Sequence, residues 1–187
     1  LLGVAQAHAG LIGYWNFDET SGTTAADSSG NGNTGTLTNM TGTEWTTGKV
    51  GGALDFDGTN DYVDLGSVAS SDPLSLAGSA FTISAWVKTT SSVAVSQRIV
   101  DKSTGGRGLN GYALATNPSG KLDFYVDGNH FQSVDGSLVV ADTWNHVSVT
   151  GDGSNYQFYV DGTARSGVFT QGSYNSPPSV TANTAIG

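Results

Sequence analysis

The chain has 187 residues, with 16 acidic and 7 basic side chains and a formal net charge of −9. This balance argues against partners that need Lys- and Arg-rich surfaces, namely nucleic acids and anionic membranes. The sequence contains no cysteine, which excludes disulfides, thiolate nucleophiles and cysteine-ligated metals. Its 27 glycines and 37% hydrophobic residues are typical of one turn-rich all-β domain with a hydrophobic core.

The first nine residues form an apolar segment, LLGVAQAHA. Ala7-His8-Ala9 resembles the end of a secretory signal peptide, with cleavage before Gly10. The alternative is a short strand, since an apolar terminus is expected to pack against its own subunit or a neighbouring one. We therefore expect a signal-peptide remnant or donor-like strand at 1–9 and one β-sandwich domain at 10–187.

Alternating apolar and polar side chains predict short strands along the rest of the chain. The first is 11–17. Residues 50–66 predict two paired strands joined by a turn, because Leu54 and Phe56 alternate with acids before the turn residues Asp57-Gly58. No window has a convincing helical period, so the sequence predicts a sandwich of two antiparallel sheets. Further strands are predicted at 81–89, 98–102, 111–116, 121–126, 131–134, 145–150 and 156–160.

A five-residue sequence occurs twice. Phe124-Tyr125-Val126-Asp127-Gly128 recurs as Phe158-Tyr159-Val160-Asp161-Gly162. Each copy predicts an aromatic strand that runs into an Asp-Gly hairpin turn. Two copies are too few for a solenoid and indicate successive hairpins in an antiparallel meander.

Several short motifs follow one another in a characteristic order. They combine aromatic strand residues with Asp-, Asn- and Gly-rich turns. They are Gly13-Tyr14-Trp15-Asn16-Phe17-Asp18-Glu19, Asp27-Ser28-Ser29-Gly30-Asn31-Gly32-Asn33, Gly48-Lys49-Val50-Gly51-Gly52-Ala53-Leu54, Phe56-Asp57-Gly58, Phe81-Thr82-Ile83-Ser84-Ala85-Trp86-Val87, Trp144-Asn145-His146-Val147 and Tyr159-Val160-Asp161-Gly162.

In this order the motifs resemble the laminin-G-like branch of the concanavalin A-like lectin/glucanase superfamily. The resemblance covers residues 10–187 and implies a jelly-roll of two antiparallel sheets. It also implies a secreted or surface module that binds sugars or other proteins, often with calcium. Family members usually continue beyond Ala185-Ile186-Gly187 with one more strand, so the sandwich is expected to lack its usual last strand.

The sequence argues against a glycosidase. Glucanases of the superfamily resemble one another in a strand motif with two glutamates and an aspartate at alternating positions. The two glutamates here, Glu19 and Glu44, lie in no such motif, which leaves paired aspartates as the alternative source of the two carboxyl groups. The residues around His8, His130 and His146 show no spacing typical of a Ser-His-Asp catalytic triad. We therefore predict that the protein is not an enzyme.

An oxygen-rich loop suggests a calcium site. Asp27, Ser29 and Asn31 alternate and Gly32 follows, as in the first half of a calcium-binding loop. Thr38 stands where the completing glutamate would be, so other ligands are needed. Oxygen ligands favour a hard cation such as Ca²⁺, whereas the alternative is an Asx-turn that satisfies its own backbone. The candidate metal ligands are Asp27, Ser29, Asn31, Asp18, Asp57 and Asp61.

A sugar site would need an exposed aromatic ring and planar polar groups. Trp45 lies in a loop and is the aromatic residue that we most expect to be exposed, and Trp86 alternates onto the polar face of its strand. Polar residues also cluster in sequence near one predicted sheet edge, where the alternative is a solvated surface. The candidate ligand-binding residues are Trp45, Trp86, Arg98, Asp101, Arg107 and Tyr112.

These features predict a non-catalytic, secreted or cell-surface module that binds carbohydrate or a surface partner, and the oxygen-rich loop makes a structural Ca²⁺ ion its candidate cofactor. The alternative is a structural subunit of an extracellular filament. In that arrangement, the segment 1–9 would fill the open sheet edge of a neighbouring subunit by strand exchange. No apolar run approaches the roughly 20 residues of a membrane span, so membrane insertion is not expected.

Overall fold

The computed structural model describes residues 10–68, 72–76, 80–90, 96–105, 108–136, 138–173, 177–178 and 182–187. In this part of the chain it contains fifteen β-strands and a single 3₁₀ turn at Pro73–Ser75. The strands are β1 (Thr24–Ala25), β2 (Gly35–Thr38), β3 (Trp45–Thr47), β4 (Gly52–Leu54), β5 (Tyr62–Val68), β6 (Phe81–Val87), β7 (Gln97–Lys102), β8 (Tyr112–Thr116), β9 (Leu122–Val126), β10 (Asn129–Ser133), β11 (Asn145–Gly151), β12 (Tyr156–Val160), β13 (Thr163–Arg165), β14 (Gly167–Gln171) and β15 (Ala182–Ile186).

The strands form two main sheets and one separate hairpin. The larger sheet has nine strands in the order β1-β2-β5-β15-β7-β8-β9-β10-β14, and the smaller has four in the order β13-β12-β11-β6. β3 and β4 pair only with each other. All of these pairings are antiparallel, which confirms the predicted all-β sandwich.

The main core lies between the two sheets. Phe124 of β9 and Phe158 of β12 are fully buried, although they belong to different sheets. Phe124 packs against Tyr156 edge-on at 4.9 Å between ring centroids, and Phe131 stacks on Phe158 at 5.0 Å. Burial of each large side chain contributes about 1.5–3 kcal/mol, so these contacts between the sheets are a main source of stability.

A second cluster of buried side chains lies under the β3–β4 hairpin. Ala25, Leu37 and Val63 come from β1, β2 and β5 of the nine-stranded sheet. Trp45 and Leu54, from the two strands of the hairpin, pack against this cluster. The hairpin is therefore seated at the β1–β2–β5 end of the large sheet.

The two Asp-Gly turns form as the sequence predicts. Asp127 and Gly128 have φ angles of 47° and 78°, and Asp161 and Gly162 have φ angles of 50° and 74°. Two consecutive residues with positive φ make the turn that matches the twist of an antiparallel hairpin. These turns connect β9 to β10 and β12 to β13.

Two strand predictions are wrong. The two strands predicted within 50–66 do not pair with each other: β4 pairs with β3, and β5 pairs with β2 and β15. The connection between them contains an Asx-turn, in which Asp57 accepts backbone hydrogen bonds from Thr59 and Asn60. Residues 11–17 form no strand, because polar side chains of the 27–33 loop satisfy part of their backbone in place of a neighbouring strand.

The edges of the large sheet are β1 and β14, whereas β15, the last described strand, pairs with β5 and β7 on its two sides. The predicted donor-like strand at 1–9 lies outside the described residues, so the strand-exchange hypothesis stays a prediction. In the described ranges, we find no helix with the length and apolar character that crossing a membrane requires.

Candidate functional site

An open cleft of about 690 Å³ lies between residues 18–20 and the β3–β4 hairpin. Its volume is within the range of about 300–1,000 Å³ of small-ligand sites. The described residues that line it combine one indole ring with carboxylates, hydroxyls and glycines, and none is basic. They are Asp18, Glu19, Thr20, Trp45, Thr46, Thr47, Gly51 and Gly52.

Asp18 connects the two walls of this cleft. Its Oδ1 accepts a 2.6 Å hydrogen bond from the Gly52 backbone, and its Oδ2 accepts one from the Asn16 side chain at 2.8 Å. A Cβ atom on Gly51 would collide with the Asp18 carboxylate, and one on Gly52 would collide with the Phe17 carbonyl. The two glycines thus permit the close approach of the hairpin to residues 17–18.

Trp45 forms part of the opposite wall and is held in a fixed position. Its Nε1 donates a 2.8 Å hydrogen bond to the Gly22 carbonyl, and the ring packs on the cluster beneath the hairpin. The turn that leads into β3 is fixed by Glu44, whose carboxylate accepts backbone hydrogen bonds from Thr41, Gly42 and Thr43. The hydrogen bonds from the backbone and the hydroxyl of Thr41, with that from the Gly42 backbone, lower the pKa of Glu44 to about 2. The indole is therefore ordered before any ligand arrives.

The remaining polar groups of the cleft provide hydrogen-bonding capacity. Thr20, Thr46 and Thr47 are exposed, and each hydroxyl can both donate and accept. Glu19 accepts a 2.7 Å hydrogen bond from the Ala26 backbone through Oε1. A ligand with many hydroxyl groups and an apolar face would match this arrangement.

The predicted calcium loop has the Asx-turn arrangement. Asp27 Oδ1 accepts backbone hydrogen bonds from Tyr14 (3.0 Å) and Ser29 (2.8 Å), and Oδ2 accepts one from Asn33 (2.9 Å). Burial alone would raise the pKa of Asp27, but the hydrogen bonds from Ser29, Asn33 and Tyr14 outweigh it and lower the pKa to about 2. Asn31 donates from Nδ2 to the carbonyls of Leu11 and Ile12, and the Ser29 hydroxyl also donates to Ile12. The loop therefore secures the backbone of residues 11–14.

The other predicted calcium ligands are engaged elsewhere. Asp18 belongs to the cleft, and Asp57 accepts the Asx-turn bonds from Thr59 and Asn60. Asp61 accepts a hydrogen bond from the Asp57 backbone. Over the described ranges, no three His, Cys, Asp or Glu side chains come together in a way that could hold a metal ion. The calcium site therefore stays a prediction from the sequence.

Trp86 lies apart from the cleft lining, on the outer face of the four-stranded sheet. It is 42% exposed, as its alternation along β6 predicts. The His146 ring contacts it edge-on at 5.2 Å, and the ammonium group of Lys49, in the turn of the β3–β4 hairpin, is 5.9 Å from its centroid. Trp86 and Trp45 therefore belong to different surfaces that the hairpin brings near each other.

The predicted polar cluster divides between the surface and the core. Arg98 Nε is 3.3 Å from Asp101 Oδ2, and both side chains are about one quarter exposed. Burial raises the pKa of Asp101 despite opposing effects of a hydrogen bond from Ser103 and the charge of Arg98. Tyr112 is only 2% exposed and donates to the Leu74 carbonyl at 2.8 Å, so it lies in the core part of this cluster. Arg107 lies outside the described residues.

The sequence reasoning missed a polar network on the outer face of the nine-stranded sheet. Asp123 is 2% exposed and accepts a 2.8 Å hydrogen bond from Gln132, while His130 Nε2 is 3.1 Å from its Oδ1. His130 Nδ1 is 2.6 Å from the Thr170 hydroxyl, and the ring stacks on Tyr125 at 4.4 Å between centroids. The sequence feature that could have revealed this network is Asp123, the one acidic residue in the otherwise apolar strand β9.

Burial by itself would raise the pKa of Asp123, but interactions with His130, Gln132 and Asn117 outweigh it and hold the pKa below its ordinary value. Arg98 joins the same face, with its guanidinium carbon 5.2 Å from the Tyr125 centroid. The network thus links residues of β7, β9, β10 and β14.

Two antiparallel sheets around a common core, with a polar cleft of ligand size beside one end, define a lectin-like β-sandwich. The laminin G family model described as concanavalin A-like lectin/glucanases superfamily matches residues 57–187, and the chain belongs to this superfamily. No curated protein sequence gives a significant match to the chain.

Solved structures share the fold at low sequence identity. Domain 4 of AbnA, a GH43 extracellular arabinanase from Geobacillus stearothermophilus solved with arabinotriose, is 17% identical with a TM-score of 0.64, and the match covers 94% of this chain and 82% of that domain. The receptor-binding domain of botulinum neurotoxin D is 12% identical with a TM-score of 0.58, covering 92% and 45%. A Trypanosoma rangeli sialidase is 16% identical with a TM-score of 0.58, covering 98% and 30%. The chain thus spans less than half of the last two structures.

Proposed function

We propose that the protein is an extracellular module that binds a short neutral oligosaccharide in the Trp45 cleft without cleaving its glycosidic bonds. The observation that carries this proposal is the placement of a fixed indole in the same open cleft as three exposed threonine hydroxyls and two carboxylates. A sugar ring has an apolar face for the indole and hydroxyls for the polar groups, which is the combination that the cleft accommodates.

The charge of the cleft favours a neutral ligand over an acidic one. Asp18 and Glu19 are its charged lining residues, and the whole chain carries a formal net charge of −9. Like charges on a uronate or a sialic acid would be repelled, whereas hydroxyl donors can bond to carboxylate oxygens.

The bonding of Asp18 supports binding rather than catalysis. A glycosidase needs two carboxyl groups that flank the scissile bond, one of them as acid and the other as base or nucleophile. Both oxygens of Asp18 are engaged in holding Gly52 and Asn16, so this carboxylate has a positioning role. Glu19 by itself cannot supply both the acid and the base or nucleophile.

The comparisons support the proposal at the level of class. The superfamily includes lectins by its description, and a domain of similar fold was solved from an extracellular arabinanase in complex with arabinotriose. From these similarities we infer that the module acts outside the cell, on glycans or glycan-bearing surfaces.

Calorimetric titration with neutral arabino-, xylo- and cello-oligosaccharides tests the proposal. Trp45→Ala should weaken binding by about tenfold or more, equivalent to a loss of ~1.4 kcal/mol. Because Trp45 also packs on the core, Thr47→Ala and Glu19→Gln provide milder changes in the lining, and Thr163→Ala on β13 is the matched surface control. If neither mild variant changes the affinity of an oligosaccharide that the parent protein binds, the ligand lies elsewhere and the cleft assignment is wrong.

A further inference from the structure

A second chemical site lies at the opposite edge of the large sheet from the strands beneath the hairpin. We propose that Asp123, His130 and Thr170 form a relay that activates the Thr170 hydroxyl as a nucleophile toward small carboxylic esters. The proposal concerns an activity separate from oligosaccharide binding, and it shares no residue with the Trp45 cleft.

The distances meet the requirements of such a relay. Thr170 Oγ1 is 2.6 Å from His130 Nδ1, within reach for direct proton transfer. His130 Nε2 is 3.1 Å from Asp123 Oδ1, and the side chains of His130 and Asp123 are 19% and 2% exposed. A nucleophile, a base and a buried acid behind the base are the roles of a catalytic triad, recognised by geometry rather than by chain order.

The pairing of β10 with β14 brings Thr170 beside His130, and the two residues lie at an irregularity in the sheet. His130 pairs with Gln171, whereas Phe131 pairs with Phe169, so β14 carries Thr170 as one extra residue opposite β10. A bulge of this kind re-aims a side chain, and bulges are over-represented beside active sites. Thr170 is itself exposed, so the proposed relay ends at the protein surface.

The surroundings hold His130 in an orientation suited to a base. Its ring stacks on Tyr125 with an interplanar angle of 17°. The Nε2 atom contacts the Asp123 carboxylate, but without the alignment of a regular hydrogen bond. Asp123 therefore acts chiefly through its negative charge, which stabilises the imidazolium that forms when His130 takes a proton. In the tautomer that carries its proton on Nε2, beside the Asp123 carboxylate, the Nδ1 lone pair faces Thr170.

The reaction balances with an ester and water alone. Thr170 Oγ1 attacks the carbonyl carbon while its proton passes to His130 Nδ1. The bond between that carbon and the alcohol oxygen breaks, and the departing alcohol takes the proton from His130. The products are acyl-Thr170 and the free alcohol. Water then attacks the acyl-threonine with His130 as base, and the acid is released as Thr170 regains its proton.

The test treats the whole chain with p-nitrophenyl acetate and follows acetylation of individual residues by peptide mass spectrometry. Thr163, an exposed strand threonine on β13, is the internal reference. General base catalysis contributes roughly 10²–10⁴-fold, so Thr170 should be acetylated at least about 100-fold faster than Thr163. His130→Gln should reduce the Thr170 rate to that of Thr163.

Two further outcomes decide the proposal. Continuous release of p-nitrophenolate that Thr170→Val abolishes would support complete turnover through the acyl-threonine. Acetylation of Thr170 no faster than that of Thr163 in the parent protein would overturn the proposal, and this comparison does not depend on whether a variant folds. Oligosaccharide titration of Thr170→Val should match the parent, which keeps this test separate from that of the cleft.

Discussion

The Gly52 amide donates a 2.6 Å hydrogen bond to Asp18 Oδ1, and this contact helps to join the β3–β4 hairpin to the segment that precedes β1. The two groups are 34 residues apart in sequence. The hairpin belongs to neither main sheet, so its position depends on this contact, on the hydrogen bond from Trp45 Nε1 to the Gly22 carbonyl, and on the packing of Trp45 and Leu54.

Gly52→Ala should destabilise the protein and displace the hairpin. The added Cβ would collide with the Phe17 carbonyl, a backbone atom that cannot move aside as a side chain can. Overpacking of this type costs about 1–3 kcal/mol, measurable by denaturant unfolding. Gly10→Ala is the control, because its Cβ would meet no atom of the described residues within 4 Å. Equal stability of the two variants would contradict the proposed closeness of the cleft walls.

Asp27→Asn should reduce stability, because the carboxylate accepts three backbone hydrogen bonds. The pKa of Asp27 is lowered from 3.8 to about 2 in the folded state. Its contribution is therefore fully present above about pH 3.8 and is lost as the pH falls through about 2. The free energy of unfolding of parent and variant, measured across this range, should converge in acid. A constant difference would show that the charge of Asp27 is not involved.

The same variant tests the calcium prediction. If the loop binds Ca²⁺, added ion should raise the melting temperature of the parent protein, EDTA should reverse the rise, and Asp27→Asn should abolish it. The Asx-turn arrangement in the structure instead predicts the same melting temperature with and without Ca²⁺. A thermal shift titration distinguishes the two.

Tyr112→Phe should cost about 1–3 kcal/mol of stability, because the buried Leu74 carbonyl loses its hydrogen-bond donor. Oligosaccharide affinity should be unchanged, since Tyr112 is only 2% exposed. Chemical denaturation and calorimetric titration measure the two effects separately. A large loss of affinity in a folded Tyr112→Phe protein would instead support the ligand-binding role predicted from the sequence.

Trp86→Ala should leave binding in the cleft within about twofold of the parent, whereas Trp45→Ala should lower affinity by about tenfold, a difference of ~1 kcal/mol or more. The reason is that Trp86 lies on the outer face of the four-stranded sheet and does not line the cleft. Titration of both variants with the same oligosaccharide makes the comparison. The reverse order of effects would place the main ligand surface on the Trp86 face.

The sequence by itself determined the features that depend on neighbouring residues. Alternation along β6 specified which side of the strand Trp86 occupies, and the Asp127-Gly128 and Asp161-Gly162 pairs specified hairpin turns because these residues tolerate positive φ. The ordered motifs were sufficient to recognise the superfamily. The backbone preferences of single residues and the order of the motifs can be read from the sequence without knowing which segments pair in the fold.

Only the tertiary structure decided which segments pair and which polar groups meet. The pairing of β4 with β3 in place of β5, and the burial of Tyr112, depend on contacts between distant segments that leave no periodic signal. His130 and Thr170 are 40 residues apart, and they meet because β10 pairs with β14. Register is a property of two strands together, so neither strand's sequence alone specifies it.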